Sequence, residues 1–374
     1  MKYTSTILFI FLTFFSFAQP TGDIEKDTAL ANRYFEQAIL LNNDSSVVLL
    51  KQAIVLYEAH PFDKQLLELK GTLAKELFDK QKKEAEEEAL ATIQLAKEKL
   101  PNVAHPPVLG NAYYALFKVY ENRDAKLAIE YAFHARTCFK ENLPSYFLLT
   151  SGIIHKLAYL GDLNLVDSLN TDLEQILITQ KNKELDLYWT YIYQNKMVYY
   201  FKRNAFEKAT IYGKKFFAEN DKYQVNSRTK MSPYYIMMGQ IYTALKNYDE
   251  AIKWTKEGIE NTSMSKDSPA YGAFYTDLAV IYKQKGDLEE AVELYKKGLN
   301  QIRKDSITYQ RRLLLNYFNL SSAYITMEDY PNAEKYLKES QKFGAFAQTA
   351  ARVISKGRSQ RASTVTRKAK SGSK

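Results

Sequence analysis

Apolar positions in the second half of the chain recur three and four residues apart, in blocks that repeat one another. Residues 234–260 read YYIMMGQIYTALKNYDEAIKWTKEGIE, residues 274–300 read FYTDLAVIYKQKGDLEEAVELYKKGLN, and residues 317–341 read YFNLSSAYITMEDYPNAEKYLKESQ. Each block holds an aromatic-x2-apolar-small-x2-Tyr run, a short turn, and then x3-Ala in a second run. That spacing gathers the apolar side chains on one face of a helix, so each block predicts two amphipathic helices. The tyrosines closing the first run, Tyr200, Tyr242, Tyr282 and Tyr324, are spaced by 42, 40 and 42 residues. The small residue of the second run, Ala209, Ala251, Ala291 and Ala333, keeps the same spacings. Carried upstream, the register falls on Val166, Ala128, Ala89 and Leu49 and predicts eight helix pairs between Thr28 and Phe343.

The turns support this register. Four residues before the small position stand Ser45, Ala85, Asp124, Asp162, Ala205, Asn247, Asp287 and Asp329. Six of these eight carry a side-chain oxygen that can accept an orphan N–H of a helix's first turn. Asp287 with Glu290, and Asn247 with Glu250, have the spacing of capping boxes. Gly161 and Gly286 precede a cap, where a helix ends in a left-handed residue.

Over residues 189–343 the pattern resembles the tetratricopeptide repeat family. Its first-helix signature is carried by Tyr235, Met238, Gly239 and Tyr242, by Tyr275, Leu278, Ala279 and Tyr282, and by Tyr317, Leu320, Ser321 and Tyr324. The upstream copies are weaker: Ala89, Ile93, Ala96 and Pro101 fit a second helix, but Lys80 stands where the first helix should have Tyr. The period near 40 exceeds the family's 34, and the excess is expected to lengthen the helices or the loops between repeats, such as 261–270. The resemblance implies an all-α fold, a right-handed superhelical solenoid of about eight antiparallel helix pairs, closed by a C-terminal capping helix. It also implies that the first helices line a concave face on which ligands lie. The family's carboxylate clamp, built from Lys and Asn, is absent, because the corresponding positions hold Ala74, Tyr113, Ser151, Gln194, Ile236 and Thr276.

Of the 29 Tyr, eight occupy two repeat positions: 193, 235, 275 and 317, and 200, 242, 282 and 324. Their even spacing assigns them to packing between helices, where a ring buries area while its hydroxyl reaches a polar partner. Mapping the concave face instead selects Tyr113, Phe117 and Tyr120, then Tyr191, Gln194, Asn195, Val198 and Phe201, then Ile236, Gln240, Thr276 and Lys283. Rings that supply area and amides that satisfy backbone groups suit a peptide or protein segment. The competing reading packs these residues against the next repeat.

Composition bears on compartment and chemistry. Residues 1–18, MKYTSTILFIFLTFFSFA, have a basic start, an apolar run over Ile7–Phe17, and Ser16 and Ala18 before a cut at Gln19. That is the pattern of a bacterial secretory signal, with an uncleaved anchor as the alternative. No later stretch is apolar for about 18 residues, so no transmembrane helix is expected in the mature chain. The expected location is therefore the periplasm, the envelope periphery or the exterior.

Cys138 is the single cysteine, and His60, His105, His134 and His155 are scattered. No metal or cofactor site is expected, since His134 and Cys138 alone cannot hold zinc. No Walker A loop, GxGxxG, GxSxG or HExxH occurs, and Ser263-Met-Ser-Lys266 is an SxxK match in a polar loop. No catalytic residue is assigned.

The formal charge of +9 suggests a basic protein, but residues 341–374 hold nine bases and no acid. With Lys2 in the signal, residues 19–340 sum to −1. The expected organisation is a signal peptide at 1–18, a short linker at 19–27, the repeat array at 28–343, a capping helix at 344–356 and a basic disordered tail at 357–374. The tail reads either as a solvated end with no role or, through Arg358, Arg361, Arg367, Lys368 and Lys370, as a contact for anionic lipid or envelope polymer. Nucleic acid fits the charge and conflicts with the export signal. The whole reads as a non-enzymatic protein- or peptide-binding scaffold of the bacterial envelope. The alternative is a sensory input module of the kind found in repeat-containing bacterial regulators.

Overall fold

A computed structural model describes residues 19–41, 44–79, 81–103, 106–261, 271–305 and 310–342. The signal segment, Lys80, His105, the SxxK loop, the 344–356 cap and the basic tail with Arg358, Arg361, Arg367, Lys368 and Lys370 lie outside the described residues. Among the described residues there is no strand. Sixteen α-helices follow one another: α1 Ile24–Leu41, α2 Asp44–Glu58, α3 Lys64–Leu77, α4 Lys82–Lys99, α5 Gly110–Tyr120, α6 Ala125–Cys138, α7 Leu143–Leu160, α8 Leu163–Gln180, α9 Trp189–Lys202, α10 Phe206–Tyr223, α11 Arg228–Ala244, α12 Tyr248–Asn261, α13 Gly272–Lys285, α14 Leu288–Ile302, α15 Gln310–Thr326 and α16 Tyr330–Gln341. None of them is long and apolar enough to cross a membrane. The chain divides into two compact units, Met1–Ile176 and Leu177–Lys374.

Each odd-numbered helix is the first of a pair. The caps expected from sequence hold from the third pair onward. Asp124 accepts from Lys126 N and Leu127 N, Asp162 from Leu165 N, Asn247 from Glu250 N, and Asp329 from Asn332 N. Asp287 occupies its cap position without a side-chain bond to the first turn. In the first two pairs the register was misread. α2 already begins at Asp44 and α4 at Lys82, so Ser45 and Ala85 lie inside helices. Leu49 is only partly buried, while Leu50 and Ala53 take the core positions. α1 starts at Ile24, within the stretch read as a linker, and its buried Asp27 accepts hydrogen bonds from Thr21 N and Oγ1.

One turn geometry recurs between the two helices of a pair. The cap N–H of Asp162, Ala205, Asn247, Asp287 and Asp329 bonds the carbonyl five residues back, on Leu157, Tyr200, Tyr242, Tyr282 and Tyr324. The residue before each cap is left-handed: Gly161, Asn204, Lys246, Gly286 and Glu328, with φ of 91°, 56°, 57°, 103° and 63°. The α5–α6 turn is one residue shorter. Asp124 N bonds Tyr120 O, four residues back, and Arg123 has no positive φ.

Packing within a pair centres on three rings. Tyr212 of α10 stacks on Tyr200 of α9 at 5.3 Å and meets Tyr193 at 6.3 Å. Tyr336 of α16 repeats this with Tyr324 at 5.6 Å and Tyr317 at 6.4 Å of α15. Tyr131 of α6 does so with Tyr120 at 5.7 Å and Tyr113 at 6.4 Å of α5. In the α11–α12 pair Trp254 stands in for the third ring, 6.1 Å from Tyr235. Close approach elsewhere needs glycine. A Cβ on Gly298 of α14 would meet Asn316 Nδ2 at 2.8 Å and Thr276 Oγ1 at 2.9 Å.

Each unit has its own core. Leu50, Leu56, Leu69, Leu73, Leu77 and Val119 are buried together in the first unit. In the second, Phe216, Met238, Ile241, Leu278, Tyr295 and Leu320 are central.

Candidate functional site

The ring triplets correct the groove mapping in the first unit. Tyr113 and Tyr120 hold the same places as Tyr193 and Tyr200, so they are packing residues and not groove lining. Tyr113 is buried and stacks on His134 at 5.1 Å. Phe117, also buried, fills the place that Gly239 and Ala279 hold in later pairs. Tyr120 donates from its hydroxyl to Glu86 of α4 and lies under the Arg123 guanidinium. The short α5–α6 turn is the cause: counting back from Asp124 shifts α5 by one residue, and Tyr114 is the true counterpart of Gln194.

The α9 candidates are largely covered. Gln194 is buried and its Oε1 accepts from Asn226 Nδ2 at 3.4 Å, in the connection between α10 and α11. Asn195 and Val198 are buried too. Tyr191 packs on Tyr188 at 6.2 Å, and Phe201 on Phe206 at 6.2 Å.

The later first helices, α11, α13 and α15, bring the remaining candidates together. Gln240 Nε2 of α11 donates to Asp277 Oδ1 of α13 at 2.9 Å. Asn316 Nδ2 of α15 donates to Thr276 Oγ1 at 2.8 Å, and Lys283 Nζ donates to Ser322 Oγ of α15 at 2.7 Å. These bonds tie three successive first helices edge to edge. Gln240 is exposed, Ile236 and Lys283 are half-buried, and Thr276 is half-buried against the next helix. Burial lowers the Lys283 pKa, and burial raises that of Asp277 against the opposing Gln240 bond and Arg312 charge. Between α11 and α13 lies a pocket of about 180 Å³, lined by Gln240, Thr243, Ala244, Asp277, Val280, Ile281 and Gln284. Further along, Leu315 and Phe318 of α15 are 45% and 40% exposed, and Phe318 is the counterpart of Thr276.

Asp277, Val280, Gln284, Leu315 and Phe318 were missed in the sequence. The signal was available, because each stands one or two positions from a tyrosine of the packing stripe, and helical spacing turns such positions away from that stripe, toward the open face. In the first unit a second pocket, of about 360 Å³, is walled by Phe35, Ile39, Glu68, Thr72, Lys75 and Asn111 among others.

Cys138 is buried, and desolvation pushes its thiol up to about 12, so it is a core residue and not a nucleophile. Among the described residues, no three of His, Cys, Asp and Glu group to hold a metal.

Comparison with known proteins agrees with the geometry. The tetratricopeptide repeat profile matches residues 231–304 and 275–343. No curated protein matches the sequence. Among solved structures, a Signal Transduction ATPase with Numerous Domains carrying a tetratricopeptide repeat sensor, from Pyrococcus horikoshii, is similar at 18% identity and a TM-score of 0.58. The match covers 84% of this chain, which spans 46% of that protein, less than half its length. NprR in complex with its cognate peptide NprX is similar at 14% identity and a TM-score of 0.52, over 90% of this chain and 98% of NprR. The apo quorum sensor NprR from B. thuringiensis gives 13% identity, a TM-score of 0.50, and coverage of 86% and 99%. At these identities the likeness is one of fold.

Proposed function

We propose, from the premise that the chain is a tetratricopeptide-repeat-like protein, that it is a non-enzymatic scaffold binding a peptide or protein segment across α11, α13 and α15. The cross-linked row of first helices carries this reading. It offers the exposed amides of Gln240 and Gln284, a pocket between helices, and the exposed apolar side chains of Leu315 and Phe318 on one continuous stretch. Amides can satisfy an incoming backbone while Leu315 and Phe318 supply area, the division of labour expected of a peptide groove. A sensory input module is the second reading. It is favoured by the likeness to NprR, whose solved complex holds its cognate peptide, and to a sensor-bearing signalling ATPase. We place the scaffold in the bacterial envelope because of the export signal read at residues 1–18, with the basic tail as a contact for anionic lipid or polymer.

A photo-reactive side chain installed at Gln240 or Gln284 tests the groove, with Lys253 on the second helix α12 as control. Adducts of one partner at both groove positions, lost on Phe318→Arg, are expected. Equal labelling at Lys253, or labelling unaffected by Phe318→Arg, would reject the groove. A peptide-sized adduct favours the sensor and a protein-sized one the scaffold. N-terminal sequencing of the protein from its native host should begin at Gln19; an intact Met1 on protein recovered in the cytoplasmic fraction removes the export part of the proposal, whereas an intact Met1 on membrane-held protein replaces cleavage by an uncleaved anchor.

A further inference from the structure

Asp277 is an acid without an ion-pair partner among the described residues. It is half-buried, and its Oδ1 accepts a hydrogen bond from the Gln240 amide at 2.9 Å. Arg312 of α15 acts on it only through its field. Lys283 lies six residues on, about 9 Å along the helix, and is committed to Ser322. Behind Asp277, Tyr295 of α14 is wholly buried with its hydroxyl unbonded, and the carboxylate's charge reaches it. A partly desolvated carboxylate left unpaired is costly, and a cation that arrives with its own hydrogen bonds recovers that cost.

The rest of the pocket says what carries the cation. Val280, Ile281 and Ala244 form an apolar side, while Gln240, Gln284 and Thr243 add oxygens that can accept. A side chain with an aliphatic stem and a cationic head matches both halves. A bare inorganic cation would leave the apolar side unused, and an acidic side chain would meet Asp277 with like charge. We propose that this pocket is a specificity subsite for a basic side chain, arginine or lysine, of a bound peptide segment. Its stem lies on Val280 and Ile281 and its head pairs with Asp277. This rests on the groove reading above and adds to it the class of residue selected.

Two pools of capped heptapeptides test it on the full-length protein. Both carry mixed neutral residues at every position but the centre, which is arginine in one pool and its neutral isostere citrulline in the other. Retention on the immobilised protein is measured for each pool, with the wild type and with Asp277→Asn, which keeps the shape and can still accept from Gln240. The arginine pool should be enriched about tenfold over citrulline on the wild type, the worth of one charged hydrogen-bonded contact. That ratio should fall to near one on Asp277→Asn, whose fold is checked by circular dichroism. Equal retention of the two pools on the wild type, or an arginine preference that survives in Asp277→Asn, overturns the subsite and leaves the groove reading standing. Retention of neither pool overturns both.

Discussion

Five residues at equivalent turns adopt a left-handed backbone, yet only Gly161 and Gly286 announce it in the sequence. A Lys or Glu carries no such signal, and at Lys246 and Glu328 the following cap N–H and the ring packing hold the conformation in place. A side chain at positive φ costs about 1–2 kcal/mol, partly offset by the greater freedom glycine has in the unfolded chain. Lys246→Gly should therefore raise stability by about 0.5–1 kcal/mol, read as a higher urea midpoint with unchanged slope. A lower midpoint would mean that Lys246 makes a stabilising contact that outweighs the strain.

At the scale of the element, the helices and their order were legible because two independent periodicities, apolar stripe and cap, coincide from α6 onward. They part in α4, whose cap position holds Gln81 and so no short oxygen side chain, and in α2, which begins at Asp44, one residue before the Ser45 read as its cap. The groove of α5 was illegible for a smaller reason. A single residue missing from the α5–α6 turn rotates the assignment by one position, enough to exchange packing tyrosines for surface ones. Caps that share a position also differ in what they do. Asp124 bonds two first-turn N–H groups, whereas the Asp287 carboxylate bonds none and lies 4.0 Å from Lys285. Asp124→Ala should cost about 1 kcal/mol, and Asp287→Ala should stay within about 0.5 kcal/mol, both by urea unfolding. Equal losses would show that position alone, and not the bond, stabilises these helix starts.

For the whole molecule, the repeat period runs through the Ile176–Leu177 boundary, so periodicity does not reveal two units. The one hint is the longest spacing of the series, 43 residues between Val166 and Ala209, where the 3-10 turn Lys183–Tyr188 is accommodated. The near neutrality of residues 19–340 is also a cancellation. Residues 19–176 sum to −6 and residues 177–340 to +5, so the two units carry opposite charge. That the first-unit pocket and the α13 groove belong to units of opposite net charge could not be read from the total.

Both tryptophans of the chain fall in the second unit. Trp189 stacks on Tyr193 at 5.6 Å, and Trp254 lies 4.8 Å from Phe217 in the second core. Indole emission is thus an optical reporter of one unit alone, whereas far-ultraviolet dichroism registers helices in both. Because each unit buries its own core, thermal melts followed by the two signals should give different midpoints. Superimposable curves would mean instead that the chain melts as one cooperative body. The placement of two side chains, selected for packing, makes the second unit visible by itself in an unlabelled protein.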